Sequence, residues 1–372
     1  MNYYIIAGEA SGDLHASNLM KALARFDAKA AFRCWGGDLM QHAGGTLVKH
    51  YKELAYMGFI EVAKNIRTIL KNIELCKNDL LAYQPETLIL VDYPGFNLRI
   101  APFAKKHGIP VIYYISPQVW AWHSSRVKKI RDCVDKMLVI FPFEIEFYKK
   151  WEMDVGFTGH PLPEVIDGKR QQFSQLEFYK KHGLDDRPII ALLPGSRRQE
   201  IKTMLPLMIG VKDNFKECQM VIAGAPSVPR SFYAQLNIGN IPVVENNTYE
   251  LLHNSTAALV TSGTATLETA LFGVPQVVCY KGNSFSYFIA KRLVNVNYIC
   301  IVNLILNKPV VKELIQDELC YENIKTELNK ILENNHEINQ MKSEYLQMKK
   351  MLGGPGASER AAQIIVSHIS KK

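Results

Sequence analysis

The chain has 372 residues, of which 48% are hydrophobic and 22% are charged, and its formal net charge is +8. Since a domain usually holds roughly 100–200 residues, this length predicts two domains, and the composition is that of a globular protein rather than a disordered or fibrous one. The seven cysteines form no CxxC pair and no zinc-binding spacing with histidine, which favours reduced side chains in a cytosolic protein. We find neither a signal peptide nor an apolar run of the roughly 18 residues that a spanning helix needs.

The positive charge is concentrated in one part of the chain. Residues 99–150 contain ten basic and four acidic residues, a local excess of six. Such an excess is typical of solvated helix faces, and equally typical of a surface for an anionic partner such as lipid headgroups or nucleic acid. No recognised nucleic-acid-binding motif accompanies it, so we expect no nucleic acid partner.

The first half alternates between short apolar runs and amphipathic runs separated by Gly, Pro and Asn, which predicts a doubly wound parallel α/β sheet. Strands are predicted at 2–7, 31–35, 86–92, 110–115 and 136–141, and helices at 12–26, 59–83, 97–107, 123–132 and 144–150. The segment Gly159-His160-Pro161-Leu162-Pro163 is a natural domain boundary, because two prolines break any continuing helix.

The second half repeats this pattern and ends in helices. Strands are predicted at 188–193, 218–223, 241–244, 257–260 and 275–279, and helices at 199–216, 229–236, 248–254, 264–272, 284–294, 308–315, 321–351 and 357–369, with a candidate break near Asn334. The last helix follows Gly353-Gly354-Pro355-Gly356, so it either crosses to the other domain or packs at the chain end. We therefore predict two Rossmann-like domains facing a cleft, residues 1–160 and 161–352, followed by a terminal helix in 353–372.

Three apolar strands end in loops of small residues from which a helix begins, at 8–13, 194–198 and 261–266. Small residues let a ligand approach the backbone, and a helix start directs unpaired N–H groups and a positive dipole end at an anion. Two domain openings half a chain apart therefore predict a phosphate-bearing ligand. GxGxxG and Walker A motifs are absent from the sequence, which disfavours NAD and P-loop ATP chemistry.

Two of these loops carry residues suited to a nucleoside diphosphate. Arg197 offers a planar guanidinium for phosphate oxygens beyond a strand end, whereas Arg198 is expected only to form a surface pair with Glu200. Hydroxyls and N–H groups at Ser262-Gly263-Thr264 would take the diphosphate. Glu268 lies one turn further and would accept both ribose hydroxyls. A capping box is disfavoured as its role, because such a box needs its acid three residues after the cap residue and Glu268 comes four residues after Thr264.

The first half offers carboxylates at two strand ends. Asp92 follows the buried-type strand and is a candidate general base, although a turn acid is the ordinary explanation for Asp-x-Pro. Glu9 and Asp13 are candidates to orient a sugar hydroxyl, while Asp13 could equally be a first-turn helix acid. The tryptophans of Ser116-Pro117-Gln118-Val119-Trp120-Ala121-Trp122 belong either to the core or to an acyl or sugar surface.

The predicted helix 59–83 and the residues before it are a candidate membrane contact. Lys64, Arg67 and Lys71 share one helical face. An amphipathic helix packed on a core is the default for such spacing, but an exposed apolar start would instead form a membrane-facing entry. The apolar residues of that entry are Tyr56, Met57, Phe59 and Ile60.

Motifs for metal-dependent and hydrolytic chemistry are absent, since the sequence contains no DxD pair, no HExxH and no GxSxG. Glu144 and Glu146 are a weak substitute for a carboxylate pair and are expected at the solvated start of a helix. We therefore expect neither a metal ion nor a cofactor.

Together these motifs resemble those of the lipid-A-disaccharide synthase family over essentially the whole chain. Seven segments occur in the family's order: 7–13 (Ala-Gly-Glu-Ala-Ser-Gly-Asp), 56–58 (Tyr-Met-Gly), 92–94 (Asp-Tyr-Pro), 116–122 (Ser-Pro-Gln-Val-Trp-Ala-Trp), 193–197 (Leu-Pro-Gly-Ser-Arg), 262–268 (Ser-Gly-Thr-Ala-Thr-Leu-Glu) and 290–294 (Ala-Lys-Arg-Leu-Val). Two positions depart from the family's pattern. Gly95 stands where a second acid is common, and Ile301-Val302-Asn303 stands where Leu-Pro-Asn is expected.

The resemblance implies a B-type glycosyltransferase fold and an inverting transfer from UDP-2,3-diacylglucosamine to 2,3-diacylglucosamine 1-phosphate, giving a β-1′,6 disaccharide and UDP. It implies Asp92 as the catalytic base. It assigns to the UDP-sugar Ser196, Arg197, Ser262, Gly263, Thr264, Glu268 and Asn303, and to the acceptor Glu9, Ser11, Asp13, Met57 and Gln118. Because both substrates carry acyl chains, we expect a cytoplasmic enzyme that associates peripherally with the inner membrane. The residues expected to face the membrane are Tyr56, Phe59, Ile60, Lys64, Arg67 and Lys71. We expect the enzyme to be a monomer or a homodimer.

Two other classes stay open from the sequence. One is a different B-type enzyme that uses UDP-N-acetylglucosamine, either a transferase with a polyprenyl-linked acceptor or a 2-epimerase. An epimerase needs neither a lipid surface nor a second sugar substrate. The other class is a non-catalytic two-domain protein that closes on a small ligand.

Overall fold

The computed structural model describes residues 1–54, 66–122, 125–282 and 297–370. The chain divides into two compact units, one formed by Met1–Pro161 with Leu352–Lys372 and the other by Leu162–Met351. In each unit the described strands form one parallel sheet with helices between them, so the predicted pair of Rossmann-like sheets is confirmed. Every helix in the described ranges is too short or too polar to cross a bilayer.

The described part of the first unit contains a seven-stranded sheet of order β3-β2-β1-β4-β5-β6-β7. Its strands are β1 (Asn2–Ala7), β2 (Ala31–Gly36), β3 (Gly45–His50), β4 (Thr87–Val91), β5 (Val111–Tyr114), β6 (Lys136–Val139) and β7 (Val155–Phe157). The central strands β1, β4 and β5 are almost entirely buried, as expected for parallel strands that helices cover on both faces. The strand order reverses between β1 and β4, which is where open α/β sheets bind ligands.

The helices of the first unit lie between these strands and at the chain end. They are α1 (Ala10–Phe26), α2 (Asp38–His42), α3 (Ile66–Tyr83), α4 (Pro94–Lys106), α5 (Val119–Trp122), α6 (Ser125–Cys133) and α7 (Pro142–Lys149).

The second unit has a six-stranded sheet in its described part, of order β10-β9-β8-β11-β12-β13. Its strands are β8 (Ile189–Leu193), β9 (Gln219–Gly224), β10 (Val243–Glu245), β11 (Ser255–Thr261), β12 (Gln276–Tyr280) and β13 (Glu313–Ile315). Its helices are α8 (Leu162–Arg170), α9 (Gln175–His182), α10 (Arg198–Ile209), α11 (Arg230–Ala234), α12 (Thr248–His253), α13 (Thr264–Leu271), α14 (Ile301–Leu306), α15 (Tyr321–Glu333) and α16 (Asn335–Met351).

Several elements differ from the sequence-based prediction. The helix predicted at 308–315 is wrong, because Glu313–Ile315 extends and pairs with β12. The short strands β3 and β7 and the helices α2, α5, α8, α9 and α14 were not predicted. The expected break near Asn334 is confirmed, since α15 ends there and the Asn334 carbonyl oxygen Oδ1 accepts the N–H of His336 at 3.1 Å to start α16. The helix predicted at 284–294 lies outside the described residues.

The final helix, α17 (Ala357–Ile369), packs against α1 within the first unit. Ala361, Ala362 and Ile365 are fully buried on its inner face. Its Arg360 guanidinium donates to the carbonyl of Thr158 at 2.7 Å. The residues before it return the chain from the second unit to the first.

A polar network fastens α3 to the first sheet. Arg33 of β2 forms a bidentate pair with the Asp79 carboxylate of α3, at 2.8 Å from Nε and 2.5 Å from Nη2. The Tyr4 hydroxyl donates to the same carboxylate at 2.7 Å and accepts a hydrogen bond from the Trp35 indole at 2.8 Å. Burial acts to raise the pKa of Asp79, but the hydrogen bonds from Arg33 and Tyr4 outweigh it and hold that pKa below its usual value. The network therefore fixes α3 against β1 and β2.

We predict that Asp79→Asn lowers the free energy of unfolding of the first unit by about 2–4 kcal/mol at neutral pH, because the partly buried guanidinium loses its charged partner. The tryptophans, Trp35, Trp120, Trp122 and Trp151, all belong to this unit, so urea unfolding followed by tryptophan fluorescence measures it. Since the pKa of Asp79 is lowered by folding, its contribution is present above the unfolded pKa of about 3.9 and is lost as the pH falls through the folded pKa.

The matched control is Glu152→Gln, whose side chain is 91% exposed and lies 4.0 Å from Arg131. An exposed pair of this kind contributes about 0–1 kcal/mol. An equal loss of stability in both variants would show that the Asp79 network is no stronger than a surface pair.

Candidate functional site

The carboxyl ends of β1, β4 and β5 lie side by side at one edge of the first sheet. Ala7 pairs with Val91, and Val91 pairs with Tyr114. The residues that follow these strands are therefore neighbours: Gly8 and Glu9 after β1, and Asp92 after β4. This register brings Asp92 to the same sheet edge as Gly8 and Glu9.

Asp92 and Tyr93 both adopt left-handed backbone conformations, with φ of 45° and 48°. Such conformations cost of order 1–3 kcal/mol for a non-glycine residue, so the surroundings must stabilise them. The Asp92 carbonyl accepts hydrogen bonds from the Tyr113 hydroxyl and from the Asn97 side-chain amide, each at 2.6 Å. Two buried side chains thus hold the turn that carries the Asp92 carboxyl.

The Asp92 carboxyl has the electrostatics of a proton acceptor near neutral pH. Burial raises its pKa to about 6, the negative charge of Glu9 adds to this rise, and a hydrogen bond from the Tyr93 N–H opposes it. A base works best when its pKa lies near the operating pH. Asp92 is therefore ionised at pH 7 and is more basic than an ordinary aspartate.

Gly8, Ser11 and Asp13 of the first loop differ in their surroundings. A Cβ at Gly8 would overlap the ring of Tyr93, so glycine is required there by close approach. Ser11 is exposed. The Asp13 carboxylate is 3% exposed and accepts the N–H groups of Gly37, Leu39 and Met40 at 2.8–3.1 Å. Asp13 therefore caps the start of α2 within the fold.

The carboxyl edge of the second sheet contains a cavity of about 360 Å³, within the size range of ligand sites. Its lining comes from the loops after β8, β9 and β11 and from the starts of α10, α12 and α13. The residues that line it are Leu193, Gly195, Ser196, Arg197, Glu200, Ala223, Gly224, Ala225, Pro226, Thr248, Thr261, Ser262, Gly263, Thr264, Ala265 and Glu268. Among them are six of the seven residues that the family resemblance assigned to the UDP-sugar.

The helix start at α10 is already occupied by a side chain of the chain itself. The Glu200 carboxylate accepts the N–H groups of Ser196 and Arg197 at 3.1 and 3.2 Å, and the Arg197 guanidinium lies 3.1 Å from it. The expectation that Glu200 pairs with Arg198 is wrong, because an acid at the third helical position folds back onto the helix start. The Arg198 guanidinium instead lies over the ring of Phe232 at 5.5 Å. The Arg197 side chain remains 67% exposed.

The helix start at α13 is open. Its cap residue, Gly263, has φ of 152° and ψ of −162°, a conformation that L side chains rarely adopt, and no side chain in the described part of the chain caps the helix. A Cβ at Gly263 would meet no atom of the described residues within 4 Å, so these residues leave the space beside Gly263 open. Thr264 is exposed beside it. This arrangement suits an anion held by backbone N–H groups and the helix dipole.

Glu268 lies one turn into α13 and lines the same cavity. Its carboxylate accepts a hydrogen bond from the Tyr249 hydroxyl at 2.8 Å, and the Lys169 ammonium lies 5.1 Å from the centre of the Tyr249 ring. Burial raises the pKa of Glu268, while the hydrogen bond from Tyr249 and the charge of Lys169 oppose the rise. No sequence motif pointed to Tyr249, because it comes from a different strand–helix unit.

Two assigned residues have structural partners instead of a free side chain. The Asn303 side chain is 1% exposed, accepts the N–H of Val311 at 2.9 Å, and donates to the carbonyl of Val311 and to Glu313 at 2.8 and 2.9 Å. It lines a different cavity, of about 430 Å³. The Ser262 hydroxyl donates to the carbonyl of Ile299 at 3.0 Å, although Ser262 also lines the 360 Å³ cavity.

The remaining candidates lie on α3, in the segment after β5, or outside the described residues. Arg67 and Lys71 are exposed on α3, and Gln118 is exposed after β5. Tyr56, Met57, Phe59, Ile60 and Lys64 lie outside the described residues, as does the 290–294 segment. In the part of the chain that is described, no three His, Cys, Asp or Glu side chains come together in a way that could hold a metal ion.

One acidic residue was misjudged from the sequence. Glu144 was expected at a solvated helix start, but it is 1% exposed. Its carboxylate accepts the N–H groups of Ile140 and Phe141 at 3.2 and 2.9 Å, and the segment after β5 covers it. Glu146 is exposed as expected.

Comparison with known proteins gives close relatives over the whole chain. The model of the lipid-A-disaccharide synthetase family matches residues 3–367. The lipid-A-disaccharide synthase of Geobacter metallireducens is 39% identical over 376 residues, which cover 99% of this chain and 97% of the relative. The synthase of Coxiella burnetii strain CbuG_Q212 is 34% identical, with 97% and 96% covered.

Solved structures with a similar fold share far less sequence. A UDP-GlcNAc 2-epimerase from Neisseria meningitidis, bound to UDP-GlcNAc, has a TM-score of 0.68 and 13% identity, covering 100% of both chains. The calicheamicin glycosyltransferase CalG4 has a TM-score of 0.60 and 14% identity, covering 100% of this chain and 98% of the other. At such identity these structures establish the fold class alone, which is the two-domain Rossmann-like fold of B-type glycosyltransferases and epimerases.

The epimerase alternative is therefore not favoured, because the Neisseria meningitidis epimerase is 13% identical in sequence to this chain, whereas the two synthases are 34% and 39% identical to it. A UDP-sugar and a lipid acceptor are the substrates that the family implies. The match over nearly the whole length decides the assignment. The chain belongs to the lipid-A-disaccharide synthase family and is a glycosyltransferase of lipid A biosynthesis.

Proposed function

We propose that the enzyme transfers the diacylglucosamine of UDP-2,3-diacylglucosamine to the 6-hydroxyl of 2,3-diacylglucosamine 1-phosphate, with inversion and release of UDP. The observation that carries this proposal is the open start of α13, with Glu268 one turn further in the same 360 Å³ cavity. The direct test is detection of the disaccharide by mass spectrometry after incubation with both acylated sugars. Conversion of UDP-N-acetylglucosamine alone, without a disaccharide, would contradict the proposal.

In the proposed donor complex, the diphosphate lies at the open start of α13, against the N–H groups after Gly263 and the Thr264 hydroxyl. Glu268, oriented by the Tyr249 hydroxyl, accepts the ribose hydroxyls. Arg197 gives charge-assisted hydrogen bonds to the phosphate oxygens. Because Arg197 is largely exposed beside Glu200, its guanidinium can turn to the ligand without unfolding the cap of α10.

In the proposed transfer step, the Asp92 carboxylate removes the proton of the acceptor hydroxyl as its oxygen attacks the anomeric carbon of the donor. The bond between that carbon and the diphosphate breaks, and UDP leaves with the electron pair. The negative charge that develops on the diphosphate is stabilised by the α13 dipole and Arg197. The chemistry requires Asp92 to be ionised at the start of the step.

The acyl chains of both substrates keep them at a bilayer, since each buried CH₂ contributes about 0.8 kcal/mol. We place the enzyme at the cytoplasmic face of the inner membrane, bound through the first unit. Arg67 and Lys71 are exposed on α3, and Leu70 between them is 55% exposed. The helix α3 contacts α4, and α4 contacts α6. This helix layer carries further exposed bases, Arg99, Lys105, Lys106, Arg126, Lys128, Lys129 and Arg131.

We predict that Arg197→Ala weakens UDP binding by roughly 1.5–3 kcal/mol, which is about a 10- to 150-fold rise in Kd, because a charge-assisted hydrogen bond to phosphate is lost. Isothermal titration calorimetry with UDP measures this change. The control is the neighbouring Arg198→Ala, whose guanidinium lies over Phe232 and should leave the Kd within about twofold. Unchanged affinity in the Arg197 variant would remove this residue from the donor site.

We predict that Asp92→Asn retains UDP binding but lowers kcat by around 10²–10⁴-fold, because the base is lost without a change of shape. In the parent enzyme, kcat/KM should rise with pH up to the raised pKa of Asp92, about 6, and level off above it. Glu9→Gln should shift this limb to lower pH, because the charge of Glu9 raises the pKa of Asp92. Near-normal turnover in the Asn variant would make Asp92 a turn residue only.

We predict salt-sensitive binding to vesicles that contain anionic lipid, since each base near such a surface contributes about 1 kcal/mol. Arg67→Ala/Lys71→Ala, with or without Lys64→Ala, should sediment less with these vesicles. The matched control is Lys212→Ala/Lys216→Ala, which removes two exposed bases from the second unit. Equal sedimentation of all variants at every ionic strength would leave the α3 bases as a solvated face.

A further inference from the structure

The turn after β5 contains a residue whose side chain disfavours the backbone conformation that it adopts. Ile115 has φ of 64° and is 9% exposed. A β-branched side chain in this left-handed region is a genuine outlier. Such strain persists only where the surroundings over-determine the conformation, and it concentrates at functional sites. The residues that follow, Ser116–Trp120, form a short segment that contains Gln118.

The helix α7 holds one end of this segment through a buried hydroxyl pair. The Tyr148 hydroxyl lies 2.6 Å from the Ser116 hydroxyl, and both residues are buried, at 0% and 5% exposed. The Ser116 hydroxyl also lies 3.1 Å from the carbonyl of Pro117. Ser116 is therefore fixed directly after the strained Ile115.

Glu144 of α7 lies near this hydroxyl pair. Its carboxylate caps α7 through the N–H groups of Ile140 and Phe141, and the nearby Ser116 and Trp120 side chains oppose the rise of its pKa. Burial dominates and raises that pKa to about 7.

The other end of the segment is held by packing on the same helix. The Trp120 ring meets the Phe143 ring edge-on with centroids 4.9 Å apart, and Phe143 stacks on Phe141 at 5.3 Å. Ser116 and Trp120 are thus both fixed by α7, while Gln118 between them is exposed. The strain, the hydroxyl pair and the aromatic contact all act to hold one exposed amide in place.

We propose that Tyr148 is a positioning residue that fixes the Ser116–Trp120 segment so that the Gln118 amide binds a hydroxyl or amide group of the acceptor sugar. This inference rests on the proposed binding of the acceptor by the first unit. Fixing both flanks of Gln118 removes its conformational freedom before the ligand arrives, and this lowers the entropic cost of binding. The sugar is recognised by its polar groups, because a carboxamide both donates and accepts hydrogen bonds.

The test is the effect of Tyr148→Phe on the kinetics of disaccharide formation. This change removes only the hydroxyl that contacts Ser116. We expect the KM for the acceptor to rise about tenfold, with kcat within threefold and the KM for the UDP-sugar unchanged, because a binding interaction and not the chemical step is affected. Ser116→Ala, which removes the other half of the pair, should give the same pattern.

The control is Tyr3→Phe, a buried tyrosine of the same unit whose hydroxyl bonds to Asp27, and its kinetics should match those of the parent. Gln118→Ala should raise the acceptor KM by itself, and adding Tyr148→Phe to it should raise the KM no further. Additive effects in the double variant, or an unchanged acceptor KM in Tyr148→Phe or Gln118→Ala, would overturn the inference. Failure of the parent enzyme to form a disaccharide would instead overturn the proposed function.

Discussion

Parallel strand pairing is the constraint on which the candidate residues of each unit depend. When strands run in the same direction, their carboxyl ends meet at one edge of the sheet, and residues far apart in sequence become neighbours there. The pairing of Ala7 with Val91 brings Glu9 close enough to raise the pKa of Asp92. In the second sheet, the pairing of β8 with β11 places the starts of α10 and α13 around one cavity.

The two helix starts in that cavity show how a local detail decides what a site can bind. Both follow strands and both begin with small residues, yet Glu200 fills the start of α10, whereas among the residues that the structure describes no side chain caps α13. An anion at α10 would compete with a carboxylate that is already hydrogen-bonded. At α13 the backbone N–H groups and the dipole are available to a diphosphate. Glu268 is one turn away and lines the same cavity.

Buried carboxyl groups give the first unit its chemical character. Burial raises the pKa of Asp92 to about 6 and that of Glu144 to about 7, and each lies beside a left-handed non-glycine turn. Gly95 stands where the family often has a second acid, and a Cβ there would meet no atom within 4 Å. Packing therefore does not demand this glycine, and Asp92 is the acid that remains at the end of β4.

The sequence by itself determined the alternation of strands and helices, because hydrophobic periodicity and glycine-rich breaks are local. It also pointed to Asp92, Arg197, Gly263 and Glu268 as candidate site residues, since their motifs follow strands directly. Only the tertiary structure decided which side chains are already occupied: Asp13 by the start of α2, Asn303 by Val311 and Glu313. It likewise brought Tyr249 to Glu268 and Tyr148 to Ser116. These contacts join separate strand–helix units. No local sequence pattern encodes them, because they depend on which strands pair in the sheet and in which register.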